Sequence, residues 1–479
     1  MRIAIIGGGP AGLTAAYQLS KELGGKITSV DVYETADNVG GMSRSIQLWN
    51  QTVDLGPHRF FSKDKNINAL WLEVVGEDYD IVQRKTRIFY NKSFFDYPIR
   101  AFNALRGLGI WQAGLCMLSY LQQKIYPVKD TSTFEGWVTR RFGKRLYRIF
   151  FKTYSEKLWG IPCTELDSDF ASQRIKKLSL FEAVKNAFAF NKTSEHATLA
   201  EQFAYPVKGT GSVYIKMMKK IIENGGKVNL KTPVQRVITE NKIAKALELD
   251  NGKIVEYHHI ISTMPLTLMA ERLRIMPDDL TKKVKSLTFR NTILVYLHIN
   301  NSNLFPDQWL YIHDSEVQTG RITNFRNWVP GLYGANNQSI LCMEYWCNFE
   351  DELWSKDNSY MKELASHEIN HIGLVKKEDI LDAEVVRIPR CYPVYFSGYR
   401  EKLKPLQDFL NSIAHLHIIG RYGAYKYNNQ DHSILMGMLA AENIISDTEH
   451  DLWEINTDYG VYQESAMITK TGLTVSNNN

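Results

Sequence analysis

Three glycines and one acid near the start of the chain have the spacing of a phosphate cradle. In "MRIAIIGGGPAGLTAAYQLSKEL" they fall as Gly7-x-Gly9-x-x-Gly12, between a short apolar run and a stretch that reads as a helix with Ala11, Ala15 and Ala16 as small packing residues. Gly7 permits a tight turn, Gly9 lets backbone N–H groups approach a pyrophosphate, and Gly12 lets helix and strand come close. Pro10 and Ala11 fall where the helix N-terminus would face the phosphates. A second run, "TSVDVY", ends at Glu34, about twenty residues past the fingerprint, where a carboxylate can accept ribose hydroxyls. A lone glycine cluster is often only a turn, and Arg2 before Ile3 to Ile6 superficially imitates a signal peptide. That apolar run is too short, and no small-residue cleavage site follows it. Strand, turn, helix, second strand and acid in register predict a dinucleotide site.

Such a cradle needs a parallel sheet behind it. The 479 residues allow two or three core-forming units at about 150 residues each. The expected fold class is α/β, with a Rossmann-like, doubly wound domain assembled from residues 1–65, 205–285 and 410–450. Residues 66–204 read as a helical substrate domain and 286–409 as a β-rich domain with a mixed sheet. The polar tail, 451–479, is expected to fray after about residue 465. "TPVQRVITENKIAKALELDNGKIVEYHHIISTMPL" reads as a meander with a turn at Asn251 and Gly252. Further strands are expected at 292–299, 309–314, 320–325, 339–347, 383–389 and 416–420, and a closing helix at 433–446.

Composition narrows the function classes. At 44% hydrophobic and 23% charged the chain is ordinary globular protein, and a net charge of +5 without a basic block argues against nucleic acid while favouring an anionic small molecule. The five cysteines, 116, 163, 342, 347 and 391, are odd in number and lack CxxC pairing. They read as reduced thiols of a cytoplasmic protein, with neither a disulfide framework nor a metal site. His258 and His259 sit in the meander without partner ligands and read as structural. The uncharged "GLGIWQAGLCMLSYL" (107–121) is fifteen residues, short of the roughly twenty a spanning helix needs. No transmembrane segment is expected; the stretch reads as a buried or interfacial helix, with peripheral membrane contact the lesser reading.

Beyond the cradle, "VYETADNVGG" places Gly40 and Gly41 six and seven residues after Glu34. This spacing resembles FAD-binding proteins of the amine oxidase and protoporphyrinogen oxidase superfamily. "YPVKGTGSVYIKMM", "TPVQRV" and "IISTMPL" extend the resemblance along nearly the whole chain. "GPHRFF" (56–61), "FFKTYSEKLWGIPCTEL" (150–166) followed by Arg174, "TGRITNF", "CYPV" and "GRYGAYKYNN" (420–429) resemble its UDP-galactopyranose mutase branch.

The resemblance implies an FAD site built from Gly7, Gly9, Pro10, Ala11, Gly12, Glu34, Gly40, Gly41, Ser43, Pro57, His58, Val234, Gly420, Arg421, Tyr427 and Asn429, with Val234 against the adenine. It implies substrate contacts from Trp159, Arg174, Arg321, Tyr392 and Tyr427, and catalytic parts for His58, Arg174 and Arg321. The implied reaction needs reduced flavin, whose N5 attacks the sugar's anomeric carbon as UDP leaves. Two guanidiniums suit the departing diphosphate.

The chain departs from the bacterial pattern at Phe61, where a second His is expected, and at Asn429, where an Asp is expected. An oxidoreductase passing hydride from substrate to flavin is the alternative, and a cross-strand ion pair is the plain alternative role for Arg321. The sugar, the reductant, with NAD(P)H a candidate, and self-association as a homo-oligomer are left open.

Overall fold

The computed structural model describes residues 1–97, 101–169, 171, 202–455, 464–470 and 472–477. Five strands form an all-parallel sheet in the order Leu416–Ile418, His259–Ser262, Arg2–Ile6, Ser29–Tyr33 and Lys227–Asn229. The central strand, "RIAII", is buried from Ile3 to Ile6, as a parallel strand covered on both faces must be. Pro10–Ser20 packs on it as the first helix, beside the long helix Gln430–Ile445. These two helices touch at backbone distance. A Cβ at Gly437 would lie 2.4 Å from the Ala11 carbonyl oxygen and 2.8 Å from Thr14 Cβ.

Beside the parallel sheet, Val234–Glu240, Ile243–Leu249 and Ile254–Glu256 form the first three strands of the expected meander, whereas its last, His259–Ser262, joins the parallel sheet instead. The floor of the molecule is a mixed seven-stranded sheet. Its order is Ile380–Pro393, Phe289–Ile299, Ser339–Cys347, Arg321–Asn324, Trp309–Ile312, Thr86–Tyr90 and Ser93–Asp96. Phe289–Ile299 is buried throughout its length, because long antiparallel neighbours flank it and side chains cover both its faces.

Two expectations need correction. Residues 66–204 are not uniformly helical: after the helix Lys65–Val75 come strands Tyr79–Gln83, Thr86–Tyr90 and Ser93–Asp96, and the last two belong to the floor sheet. The alternation in "TRIFY", which buries Thr86, Ile88 and Phe89, carries the signal for a strand. The tail also does not fray from residue 465. Glu464–Thr469 and Gly472–Asn477 pair as a hairpin, Ile468 is buried, and Tyr79 donates its hydroxyl to the Thr469 carbonyl at 2.7 Å.

Candidate functional site

All five strands of the parallel sheet run the same way, so the loops after them share one edge, where open α/β sheets bind ligands. Gly7 leaves the central strand with φ +101°, and a Cβ there would lie 2.0 Å from Thr263 Oγ1. A Cβ on Gly12 would lie 2.1 Å from the Gly7 carbonyl oxygen, so this helix can sit at its strand only with glycine. Gly9 differs: its missing side chain would meet nothing closer than Gly41 Cα at 3.9 Å. The open shelf therefore lies between Gly9 and the Gly40–Gly41 turn, which the Gly40 N–H ties to the Gly8 carbonyl at 2.7 Å.

The Glu34 carboxylate accepts from the N–H groups of Gly8 at 2.7 Å and Ala36 at 2.8 Å, one on each oxygen. Each oxygen keeps acceptor capacity for a ribose hydroxyl. The Glu34 carbonyl also takes the Thr232 N–H at 2.9 Å, which brings Val234, buried at its strand's start, to the same corner. Gly420 closes the opposite side with φ +84°, its absent Cβ 3.3 Å from that of Ala11. Ser43 is buried in the 3₁₀ turn Gly41–Ser43. Asn429 caps the last helix reciprocally with His432, so its side chain serves the backbone. Beside this shelf, two buried guanidinium nitrogens, Arg44 Nε and Arg421 Nη2, have no hydrogen-bond partner among the described residues. Unpaired buried donors beside an open glycine shelf fit an anionic dinucleotide.

Next to the cradle, the Pro57–His58 loop is clamped from two sides. Thr210 donates its hydroxyl to the His58 carbonyl at 2.7 Å, and the Gln430 side-chain amide reaches the same oxygen at 3.3 Å. Asp54 fixes the base of the loop: fully buried, it accepts from Ser45 Oγ at 2.5 Å, Tyr205 OH at 2.6 Å and the Thr210 N–H at 3.2 Å. Burial pushes its carboxyl up to about 6, against those hydrogen bonds. His58 is held down to about 4, chiefly by burial, with the charges of Arg321 and Arg421 acting in the same direction and its contact with Leu55 opposing them. It is therefore neutral at pH 7. With Nε2 2.9 Å from the Leu55 carbonyl, the proton belongs on Nε2, and Nδ1 is left as an acceptor.

Five segments separated in sequence meet beside His58. Tyr392 and Tyr427 stack with ring centroids 5.4 Å apart, and the Arg421 guanidinium lies 4.6 Å and 4.5 Å from their centres. Trp159, fully buried at the end of the helix Thr153–Trp159, stacks on Tyr395 at 5.8 Å and meets Tyr427 edge-on at 6.0 Å. Arg321 and Glu344 are cross-strand partners, joined by Nε to Oε1 and Nη2 to Oε2 contacts of 2.6 Å each. Burial works against the Arg321 charge, but Glu344 overrides it and keeps the guanidinium protonated. Nη2 also lies 3.4 Å from the Tyr392 hydroxyl, while Nη1 makes no hydrogen bond among the described residues. Arg174 lies outside the described residues.

Two participants went unread in the sequence. Glu344 was detectable as the single acid within the apolar strand "SILCMEYWC". Lys157 carried a weaker signal: it donates to the carbonyls of Asp314 at 2.5 Å and Thr319 at 3.1 Å, which fastens the Trp159 helix to the loop leading into Arg321. Burial pulls its amine down to about 8.

A parallel sheet with an acid and a glycine turn on its carboxyl edge, set against a mixed sheet that carries a buried cationic and aromatic cluster, defines a flavin-dependent enzyme. The chain belongs to the family of flavin-containing amine oxidoreductases, whose pattern matches residues 10–330. Among solved structures it is similar to reduced UDP-galactopyranose mutase, with TM-score 0.82 and 24% identity over 96% of each chain. It is also similar to putrescine oxidase bound to putrescine, with TM-score 0.63 and 17% identity over 93% of this chain and 99% of that one. At these identities the likeness concerns the fold.

Among curated proteins it is 32% identical over 83 residues to coproporphyrinogen III oxidase of Mycobacterium tuberculosis, which is 17% of this chain and 18% of that protein. It is 28% identical over 172 residues to a Klebsiella pneumoniae protein described as a probable UDP-galactopyranose mutase, or 34% of this chain and 42% of that one. The matches thus span less than half the length of these curated relatives. No helix among the described residues is long and apolar enough to cross a membrane.

Proposed function

We propose that this flavoenzyme acts on a nucleotide-diphosphate sugar, interconverting pyranose and furanose forms as a UDP-galactopyranose mutase does, for surface-polysaccharide assembly in the cytoplasm. The observation that carries this reading is the convergence of Arg321, Arg421, Tyr392, Tyr427 and Trp159 beside the neutral His58. Flat aromatic faces suit a uracil or a sugar ring. The donor left on Arg321 Nη1 among the described residues, with the charge of Arg421 nearby, suits a diphosphate whose charge grows as it leaves. A protonated amine would meet guanidiniums there instead of an acid with charge to spare. Arg174 is proposed as a further diphosphate ligand on its place in the sequence pattern. Five buried free cysteines agree with a reducing compartment.

A flavin bound here, kept reduced by a donor such as NAD(P)H, would supply the nucleophile for the anomeric carbon. The chain's part is to orient the sugar, hold the diphosphate and offer His58 Nδ1 as an acceptor for a sugar hydroxyl. One observation favours a second reading, hydride transfer from substrate to flavin: the tight pairing of Arg321 with Glu344 reduces its freedom to bind phosphate.

Purified protein with its flavin reduced by dithionite should convert UDP-galactopyranose or another nucleotide-diphosphate sugar to a second isomer, resolved by chromatography. Failure to bind or convert any nucleotide sugar, together with bleaching of the oxidised flavin by an amine or a porphyrinogen, would replace this reading with the second.

A further inference from the structure

The helix Ile110–Ile125 leaves most of its large apolar side chains exposed. Its inward face buries only Cys116 and Tyr120, and polar side chains flank them: Gln112 accepts from the Arg145 guanidinium, Ser119 Oγ accepts from the Arg145 N–H at 3.2 Å, and Gln123 accepts from the Val128 N–H at 3.1 Å. Its outward face is apolar. Ile110 is 77% exposed, Trp111 86%, Leu118 63% and Ile125 68%, with Leu121 and the C-capping Tyr126 beside them. Leu118 and Ile125 repeat at the i, i+7 spacing of one helical stripe that begins at Trp111. Contiguous apolar surface of this kind on a folded protein marks an interaction site.

Charge identifies the occupant. Residues 97–129 contain no Asp or Glu. Residues 97–148 hold nine of the chain's 57 Lys and Arg and only two of its 52 Asp and Glu, a balance of +7. The rest of the chain, with 48 cations and 50 acids, carries −2. Lys124 and Lys129 lie exposed at the end of the helix, and Arg140, Arg141 and Lys144 are exposed on or just after the neighbouring helix Phe134–Phe142. Pairing with a second copy about a twofold axis would set this cationic rim against itself, with only Asp130 and Glu135 in the stretch to answer it.

We propose that this helix docks the enzyme on an anionic lipid bilayer, lying in the interface plane with its apolar stripe among the headgroups and its Lys and Arg rim on the lipid phosphates. Trp111 and Tyr126 stand at the two ends of the helix, and amphipathic rings of this kind prefer the headgroup level. The helix anchors without spanning, since it has only 16 residues.

Co-sedimentation of the purified flavoprotein with vesicles tests this. It should pellet with equimolar phosphatidylglycerol and phosphatidylcholine, pellet much less with phosphatidylcholine alone, and release as salt rises from about 0.05 M to about 0.5 M. The Trp111→Ser, Leu118→Ser variant should bind the mixed vesicles at least about tenfold more weakly, with flavin absorbance and melting temperature unchanged. Lys124→Glu, Lys129→Glu should lose the preference for phosphatidylglycerol. The proposal is overturned by absence of binding to the mixed vesicles, by equal binding to both vesicles, or by undiminished binding of the Trp111→Ser, Leu118→Ser variant. It is equally overturned by a solution dimer that the same substitutions dissociate, which would make this face a self-interface.

Discussion

The proposed dinucleotide cradle and the cleft beside it would hold ligands by different means. The cradle is mostly backbone: Gly7, Gly9, Gly12, Gly40 and Gly41 shape it, and one side chain, Glu34, is fixed by two N–H groups. The cleft is mostly side chain, and its cationic members are already partly paired, Arg321 with Glu344 and Arg421 with two tyrosine faces. A backbone site tolerates almost no added volume, whereas a side-chain site is sensitive to charges left unbalanced. Substitutions in the two regions should therefore fail in different ways.

The largest effect is expected at Gly12. A valine there places Cβ 2.1 Å from the Gly7 carbonyl oxygen, where neither strand nor helix can move aside cheaply. Gly12→Val should yield protein that is insoluble or free of flavin, read by the absence of a visible flavin spectrum. A soluble, yellow Gly12→Val protein would mean that the helix does not seat on its strand as described.

Arg321→Ala should act through charge. It leaves Glu344 buried without its partner, and breaking a buried pair costs about 3–5 kcal/mol. Arg321→Met combined with Glu344→Gln should recover most of that stability in denaturant titration but not turnover of a nucleotide sugar. Recovery of both would show that the pair is only a strut in the floor sheet.

The same contrast explains what could be read from the sequence. The cradle lies within the first 41 residues, so its spacing stands in the chain itself, and the structure places those residues along one sheet edge. The cleft brings residues 58, 159, 321, 392 and 421–427 together through the fold, and no local spacing records that meeting. Only family resemblance pointed to it, and that resemblance could not show that the carboxylate facing Arg321 is Glu344. The contact of Gly437 with Ala11 was missed for the same reason: a glycine within a helix shows its neighbour only once the two helices are packed.

A pH titration probes the parallel sheet behind the cradle, on top of the like contribution from His58 in the cleft. In the parallel sheet, His259 and His417 face one another at 3.2 Å. Both are held down to about 4, first by burial and then by neighbouring imidazoles, with His258 and the N-terminal amine adding to the effect on His259 and Asp447 opposing it. Their unfolded value is 6.5, so between pH 4 and 6.5 the unfolded chain binds more protons than the folded one. Stability should therefore rise with pH across that window, by at most about 1.4 kcal/mol per pH unit for each histidine. His259→Gln, His417→Gln should flatten the rise measured by denaturant midpoint. An unchanged slope would move its origin elsewhere, with Asp54 unable to supply it: a carboxyl raised to about 6 makes stability fall as pH rises through the same region.

Tyr392→Phe should give the smallest effect on stability and the clearest test of the cleft. Among the described residues its hydroxyl makes only a long contact, 3.4 Å, with Arg321 Nη2, while its ring keeps the stack on Tyr427 and the Arg421 guanidinium above it. Deleting the oxygen should cost less than about 1 kcal/mol of stability. If the hydroxyl faces substrate, KM for the nucleotide sugar should rise several-fold with the flavin spectrum unchanged. If stability instead falls as far as in Arg321→Ala, the oxygen's work is to hold the ion pair, and the substrate-facing part of the cleft shifts to Tyr427 and the free edge of Arg321. The comparison holds because the two variants touch the same guanidinium: one removes its charge, the other a single weak hydrogen bond at its rim.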